Sequence, residues 1–143
     1  MSEAKWIETP GWIDDHDVEF SDLVGNTLVS VEQGSARDGD ALEFTTTGGD
    51  RYVMWHRQSC CEDVNLNEIV GELGDLVGAR IESAEETSNS GDVVGDEFGS
   101  TETWTFYTIR TIKGTVTLRW YGSSNGYYSE SVSFAKMVEG SYK

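Results

Sequence analysis

The sequence predicts an α+β fold, mainly antiparallel sheet with one or two short helices, and three observations predict it. Apolar and polar residues alternate through two stretches, "ALEFTTTGGDRYVMWH" and "TWTFYTIRTIKGTVTLRWY", each broken by a Gly-containing turn, which is the pattern of half-buried hairpin strands. The motif Asp-Leu-Val-Gly occurs twice at a constant offset of 53 residues, beginning at Asp22 and Asp75. It is followed by Leu28, Ser30 and Glu32 in one copy and by Ile81, Ser83 and Glu85 in the other. Between the copies, Leu66, Ile69, Val70 and Leu73 recur at helical spacing, so "VNLNEIVGELGDLVG" is expected to be a helix lying on the sheet.

Taken in order, residues 1–19 form an acidic, Trp-containing leader. Trp6, Ile7, Trp12 and Ile13 are too apolar to remain in water, so the leader is expected to pack against something. Residues 20–143 form a single domain built from two duplicated turn-strand-hairpin units, about 22–64 and 75–132. Each unit opens with a short helical turn closed by Gly, because Gly tolerates the left-handed conformation at a helix end. Alternation places Val53 and Trp55 on one core face and Val116, Leu118 and Trp120 on the equivalent face. A polar loop follows each Trp: "HRQSCCEDV" after Trp55 and "YGSSNGYYSESV" after Trp120. The stretch from Glu86 to Ser100, rich in Gly and Ser, is expected to be an exposed loop, and a final strand from Ser131 to Val138 closes the domain.

Composition narrows the function classes. The 143-residue chain carries 26 acidic against 10 basic residues, a formal charge of -16, and such a field repels phosphate backbones and anionic lipid surfaces. Generic nucleic-acid and membrane binding are therefore not expected. No apolar run approaches ~20 residues, and "MSEAKWIETP" lacks a basic region followed by an apolar one, so the protein is expected to be cytoplasmic. With 37% hydrophobic residues, including five Trp, six Tyr and five Phe, the chain has ample material for a core. Cys60 and Cys61 are adjacent, a spacing strained against disulfide geometry. They are read as two free thiols of a reducing compartment, packed as small hydrophobes.

Catalytic and metal chemistry find little support. His56, Cys60, Cys61 and Glu62 are zinc-ligand types, but their spacing is not a zinc pattern and His16 is the only other histidine. A nucleophilic cysteine needs an orienting partner and oxyanion donors that the sequence does not supply. No phosphate-binding glycine loop is present. The expectation is a non-enzymatic protein without metal or cofactor. The second loop is more informative. Tyr121, Tyr127 and Tyr128 offer flat faces with polar ends, Asn125 and Gln58 offer amides that read polar edges, and Arg110 and Arg119 offer cations for phosphate. The same "SSNGYY" is also a good tight turn, so binding surface and plain turn both remain open.

The motifs His56-x-Gln58-x-Cys60-Cys61-Glu62-x-Val64 and the run from Trp120 to Glu130, joined by Asp-Leu-Val-Gly and the Thr-Trp-Thr-Phe-Tyr strand, carry a resemblance. Over about Phe20 to Val138 the chain resembles a family of small proteins found mostly in bacteriophages and labelled a domain of unknown function. More remotely, a small β-rich phage protein with a Cys-Cys turn is similar to the first anti-Thoeris sponges. That resemblance implies a non-enzymatic homo-oligomer sequestering a nucleotide-like immune signal of the cyclic ADP-ribose type, and no contact residue is carried over from it. The alternative is a structural or protein-interaction role: a virion component, or an acidic inhibitor or DNA mimic that binds a host protein.

Overall fold

The computed structural model describes residues 5–9, 18–58, 60–92, 99–125 and 129–137. Nine strands among them form two sheets: β1 (Lys5–Trp6), β2 (Leu28–Ala36), β3 (Gly39–Thr46), β4 (Arg51–Trp55), β5 (Asp63–Val70), β6 (Ser83–Asp92), β7 (Thr101–Thr111), β8 (Gly114–Ser124) and β9 (Ser133–Met137). The first sheet has the order β1-β2-β3-β4-β9 and the second β5-β8-β7-β6. All pairings are antiparallel except β1 with β2.

The fold is therefore mainly β and not α+β: among the described residues the only helical elements are two single 3-10 turns, Phe20–Leu23 and Leu73–Leu76. The expected middle helix is strand β5 followed by the second of these turns. A register shift between Leu66 and Glu68, where β5 pairs with β8, explains why its apolar residues mimic a helix. An extra residue in a strand resets the alternation of faces, so Leu66 and Ile69, three apart, both pack on the core. Likewise the segment expected to be a loop from Glu86 runs as strand as far as Asp92.

The two units fold alike. Each 3-10 turn ends in a Gly with positive φ, 91° at Gly25 and 82° at Gly78, a conformation that disfavours any side chain. The turns grip each other reciprocally, Gly25 N–H donating to the Ile81 carbonyl and Gly78 N–H to the Leu28 carbonyl, both at 2.9 Å. Three-stranded meanders follow, β2-β3-β4 and β6-β7-β8, and then the chain crosses over: β5 leaves the first meander to pair with β8, and β9 leaves the second to pair with β4. Each sheet is thus completed by the strand that follows the other meander.

The main core lies between the sheets and joins Leu42, Phe44, Met54 and Phe134 to Tyr107, Ile109, Leu118 and Trp120. Trp120 Nε1–H reaches Met54 Sδ at 3.2 Å. Val53 and Trp55 do not share this core with Val116, Leu118 and Trp120. They point the other way into a second cluster with Ile7, Ala36, Ala41, Ala135 and Met137. Strand β4 is buried on both faces, and the leader contributes Ile7 to the cluster on its outer one. Lys5 bridges Glu32 and the buried Glu43 at 2.6 and 2.8 Å, and Glu43 also pairs with Arg51. The backbone approach is close at Gly34, where a Cβ would stand 2.1 Å from the Lys5 carbonyl oxygen. Trp6 is 60% exposed, while Trp12 and Ile13 lie outside the described residues.

Neighbouring leader residues should accordingly behave differently. Ile7→Ala, which empties a buried site, is expected to lower stability by about 2–4 kcal/mol, and Trp6→Ala to change it by less than about 0.5 kcal/mol. Urea unfolding midpoints of the two variants check this, and equal small effects would mean that the leader does not dock.

Candidate functional site

Two polar assemblies occupy the end of the sandwich where the crossing strands begin. The first is built by the loop after β4. His56 is 3% exposed. Its Nδ1 lies 2.6 Å from the Ser131 carbonyl oxygen and its Nε2 lies 2.7 Å from Glu62 Oε2. A carbonyl only accepts, so Nδ1 is the donor, and Nε2 faces the Glu62 carboxylate. Glu62 Oε1 accepts from the Cys60 amide at 3.0 Å, and the Gln58 side-chain amide donates to the carbonyls of Glu62 (2.6 Å) and Cys60 (3.3 Å). Gln58 is thus spent on holding the turn. Cys60 and Cys61 are joined to each other as a disulfide and both are exposed, so neither the free-thiol nor the packed-hydrophobe expectation holds.

The second assembly centres on Glu130, which the loop after β8 buries. Its carboxylate accepts from Thr101 Oγ1 at 2.5 Å, Thr103 Oγ1 at 2.7 Å and Ser124 Oγ at 2.5 Å. Burial pushes this carboxyl upward, but the bonds from Ser124, Thr101 and Thr103 outweigh it and hold the group below its ordinary value. A cavity of about 400 Å³ opens beside it, lined by Ser90, Gly91, Asp92, Thr101, Thr103 and Glu130. Neither Glu62 nor Glu130 stands out in so acidic a sequence. The available clue was that each lies two residues before the valine that ends its polar loop, Val64 and Val132.

The expected ligand residues distribute differently. Arg119 and Tyr121 come together on the outer face of the second sheet with Trp104, which sequence reasoning did not single out. The Trp104 and Tyr121 rings are 4.7 Å apart, and the Arg119 guanidinium lies 5.1 Å from the Trp104 ring centre. Phe106 is directly opposite Arg119 in the β7–β8 ladder. All four side chains are partly exposed. Carboxylates rim them: Arg119 Nη1 meets Glu68 Oε1 at 3.0 Å, and the Tyr121 hydroxyl donates to Glu102 Oε1 at 3.0 Å. The Glu102 hydrogen bond, then burial, raises the Tyr121 hydroxyl above the usual phenol range. Arg110 lies farther along β7, exposed and facing Glu82 at 3.5 Å. Asn125 is exposed, and Tyr127 and Tyr128 lie outside the described residues. Gln58 belongs to the Glu62 turn and not to this face.

Chemically, His56 has both ring nitrogens engaged and presents neither to a substrate. Among the described residues no group of three His, Cys, Asp or Glu is placed to hold a metal, and no helix is long and apolar enough to cross a membrane. The family model described as Domain of unknown function (DUF7448) matches residues 21–134, and the chain belongs to that family. No curated protein and no solved structure matches the chain.

Two measurements follow from the buried carboxylates. Because the folded pKa of Glu130 is depressed, its contribution to stability is fully present above the ordinary value of 4.5 and is lost as pH falls through the lowered value. Glu130→Gln should therefore flatten the acid limb of a stability curve from urea melts, between about pH 5 and 3. His56→Ala leaves the Glu62 carboxylate buried without its ring partner and is expected to cost about 3–5 kcal/mol. A double-mutant cycle with Glu62→Ala should return a coupling of about 1–3 kcal/mol, and strict additivity would deny the pair.

Proposed function

We propose that this member of the DUF7448 family is a non-catalytic binding domain that recognises a protein partner through the outer face of its second sheet. One observation carries the reading: Trp104, Phe106, Arg119 and Tyr121 lie side by side, partly exposed, on a face that no other described element covers. Trp, Tyr and Arg are the residue types that concentrate binding energy in protein interfaces, and a contiguous aromatic patch on an otherwise largely polar sheet face marks an interaction surface. The rings are fixed by one another, so little side-chain freedom is lost when a partner arrives. The carboxylates Glu68 and Glu102 at the rim favour a partner with complementary positive charge.

A second reading has an observation in its favour. The Trp104–Tyr121 pair is a platform on which a purine could stack, which supports sequestration of a nucleotide-like immune signal of the cyclic ADP-ribose type by a phage anti-defence protein. Glu68 against Arg119, and Glu102 against Tyr121, weigh against it, since phosphates would have to displace carboxylates from the groups meant to hold them.

The two readings separate in one experiment. A photo-crosslinking residue in place of Phe106 is expected to give one defined protein adduct in host cells. Excess wild-type protein should compete it away, and a stably folded Trp104→Ala variant should compete about 30-fold less well, the equivalent of about 2 kcal/mol. If cyclic ADP-ribose instead adds one mass per site in native mass spectrometry, and Trp104→Ala abolishes that adduct, the protein-partner reading fails in favour of the second.

A further inference from the structure

Strand β6 is the longest sheet margin among the described residues. It pairs with β7 through ten consecutive residues, Ser83 with Arg110 to Asp92 with Thr101, without a register shift. On its other side, among the described residues, it has no strand neighbour and no further backbone hydrogen bond; the 3-10 turn Phe20–Leu23 packs against it without pairing. All of residues 85–92 are exposed. The other sheet margins are shorter or blunted: β1 has two residues and β9 five, while β5 is bulged and its Leu66 amide is taken by Asp40 Oδ2 at 2.9 Å. Proteins protect long straight edges with Pro, Lys, bulges or a covering element. Residues 83–92, "SAEETSNSGD", contain no Pro, Lys or bulge, and the small side chains of Thr87, Ser88, Ser90 and Gly91 leave the backbone accessible.

We infer that the β6 edge is a strand-addition site, at which an extended basic segment of a partner protein pairs as a fifth strand of the second sheet. Charge selects the occupant. Glu85, Glu86 and Asp92 lie on the strand itself. Two clefts of about 470 and 310 Å³ flank it, both lined by Glu19, Phe20 and Glu86, the larger also by Asp22 and Tyr107 and neither by any Lys or Arg. The Phe20 and Tyr107 rings, edge to face at 4.7 Å, line the larger cleft from the margin of the core, and the carboxylates beside them suit the cation of a Lys or Arg. A second copy of this chain would bring the same acids against one another, and like charges across a strand pair destabilise it. In strand addition, backbone bonds supply affinity and alternate side-chain sites supply selectivity. The inference needs none of the aromatic residues of the outer face.

The test uses a ten-residue peptide alternating Lys with Val or Thr, the same peptide with every backbone nitrogen methylated, and a version with Glu for Lys. Added to the intact protein at low salt, the Lys peptide is expected to slow hydrogen exchange at alternate amides of residues 83–92 at least tenfold. Backbone methylation at unchanged charge should abolish this effect, and the Glu peptide should show none. Glu85→Lys combined with Glu86→Lys should weaken binding at least tenfold, whereas Ile112→Ser, on the β7–β8 turn, should leave it unchanged. Equal binding of the methylated peptide, or binding without slowed β6 amides, would reduce the interaction to charge attraction and overturn the inference. So would β6 amides already protected in a peptide-free dimer, which would assign the edge to a second copy. Because the readout is the β6 amides, a negative result leaves the outer-face reading untouched.

Discussion

The contact on which the rest of this fold depends is the one between the two crossing segments, where His56 bridges the Glu62 carboxylate and the Ser131 carbonyl. Each three-stranded meander is incomplete until it receives the strand that follows the other, so the chain must pass from sheet to sheet twice at the same end of the sandwich. Passing segments expose polar backbone that cannot be buried unpaired. The sequence meets this need with one buried Glu in each segment. Glu62 is held by a ring nitrogen and a backbone amide, and Glu130 by three hydroxyls. A carboxylate is an efficient organiser here because it accepts several bonds at once, and each bond to an ionised group is stronger than a neutral one.

This arrangement makes the two halves mutually dependent. Neither meander keeps its fourth strand without the other, and the turns at Gly25 and Gly78 exchange their hydrogen bonds in the same reciprocal way. The cost of ordering a chain rich in long-range pairings is recovered only when both sheets close. Both proposed surfaces, the outer face of the second sheet and the straight β6 edge, belong to the sheet that this exchange completes. The strong acidity then acts on two levels. It keeps the surface hydrated, and it sets Glu68 beside Arg119, Glu102 beside Tyr121 and Glu85, Glu86 and Asp92 along β6, which is why the proposed surfaces are read as suited to cationic groups and not to phosphates.

The acidity also explains why the site was hard to read. With 26 acidic residues, a Glu that is buried and fully hydrogen-bonded looks no different from one that is solvated. Arg119 and Tyr121 were legible as candidates because they are rare residue types next to a core Trp. Trp104 was overlooked although the alternation of Trp104 and Phe106 against Tyr107 and Ile109 already placed it on the opposite face from the core. The vicinal Cys60–Cys61 link was misjudged because sequence distance speaks only to ring geometry and not to the turn that Gln58 and Glu62 enforce.

By itself the sequence determined that the two hairpin stretches are strands and that a Gly closes each Asp-Leu-Val-Gly turn, since these depend on local periodicity and on backbone angles that only Gly tolerates readily. It could not separate a bulged strand from a helix over Leu66 and Ile69, because one extra residue converts a spacing of two into a spacing of three. Only the tertiary structure decided which strands pair across the crossover, that Trp55 and Trp120 face different cores, and which carboxylates are buried. Those outcomes turn on contacts between residues as distant as His56 and Ser131, whose partnership leaves no periodic trace along the chain.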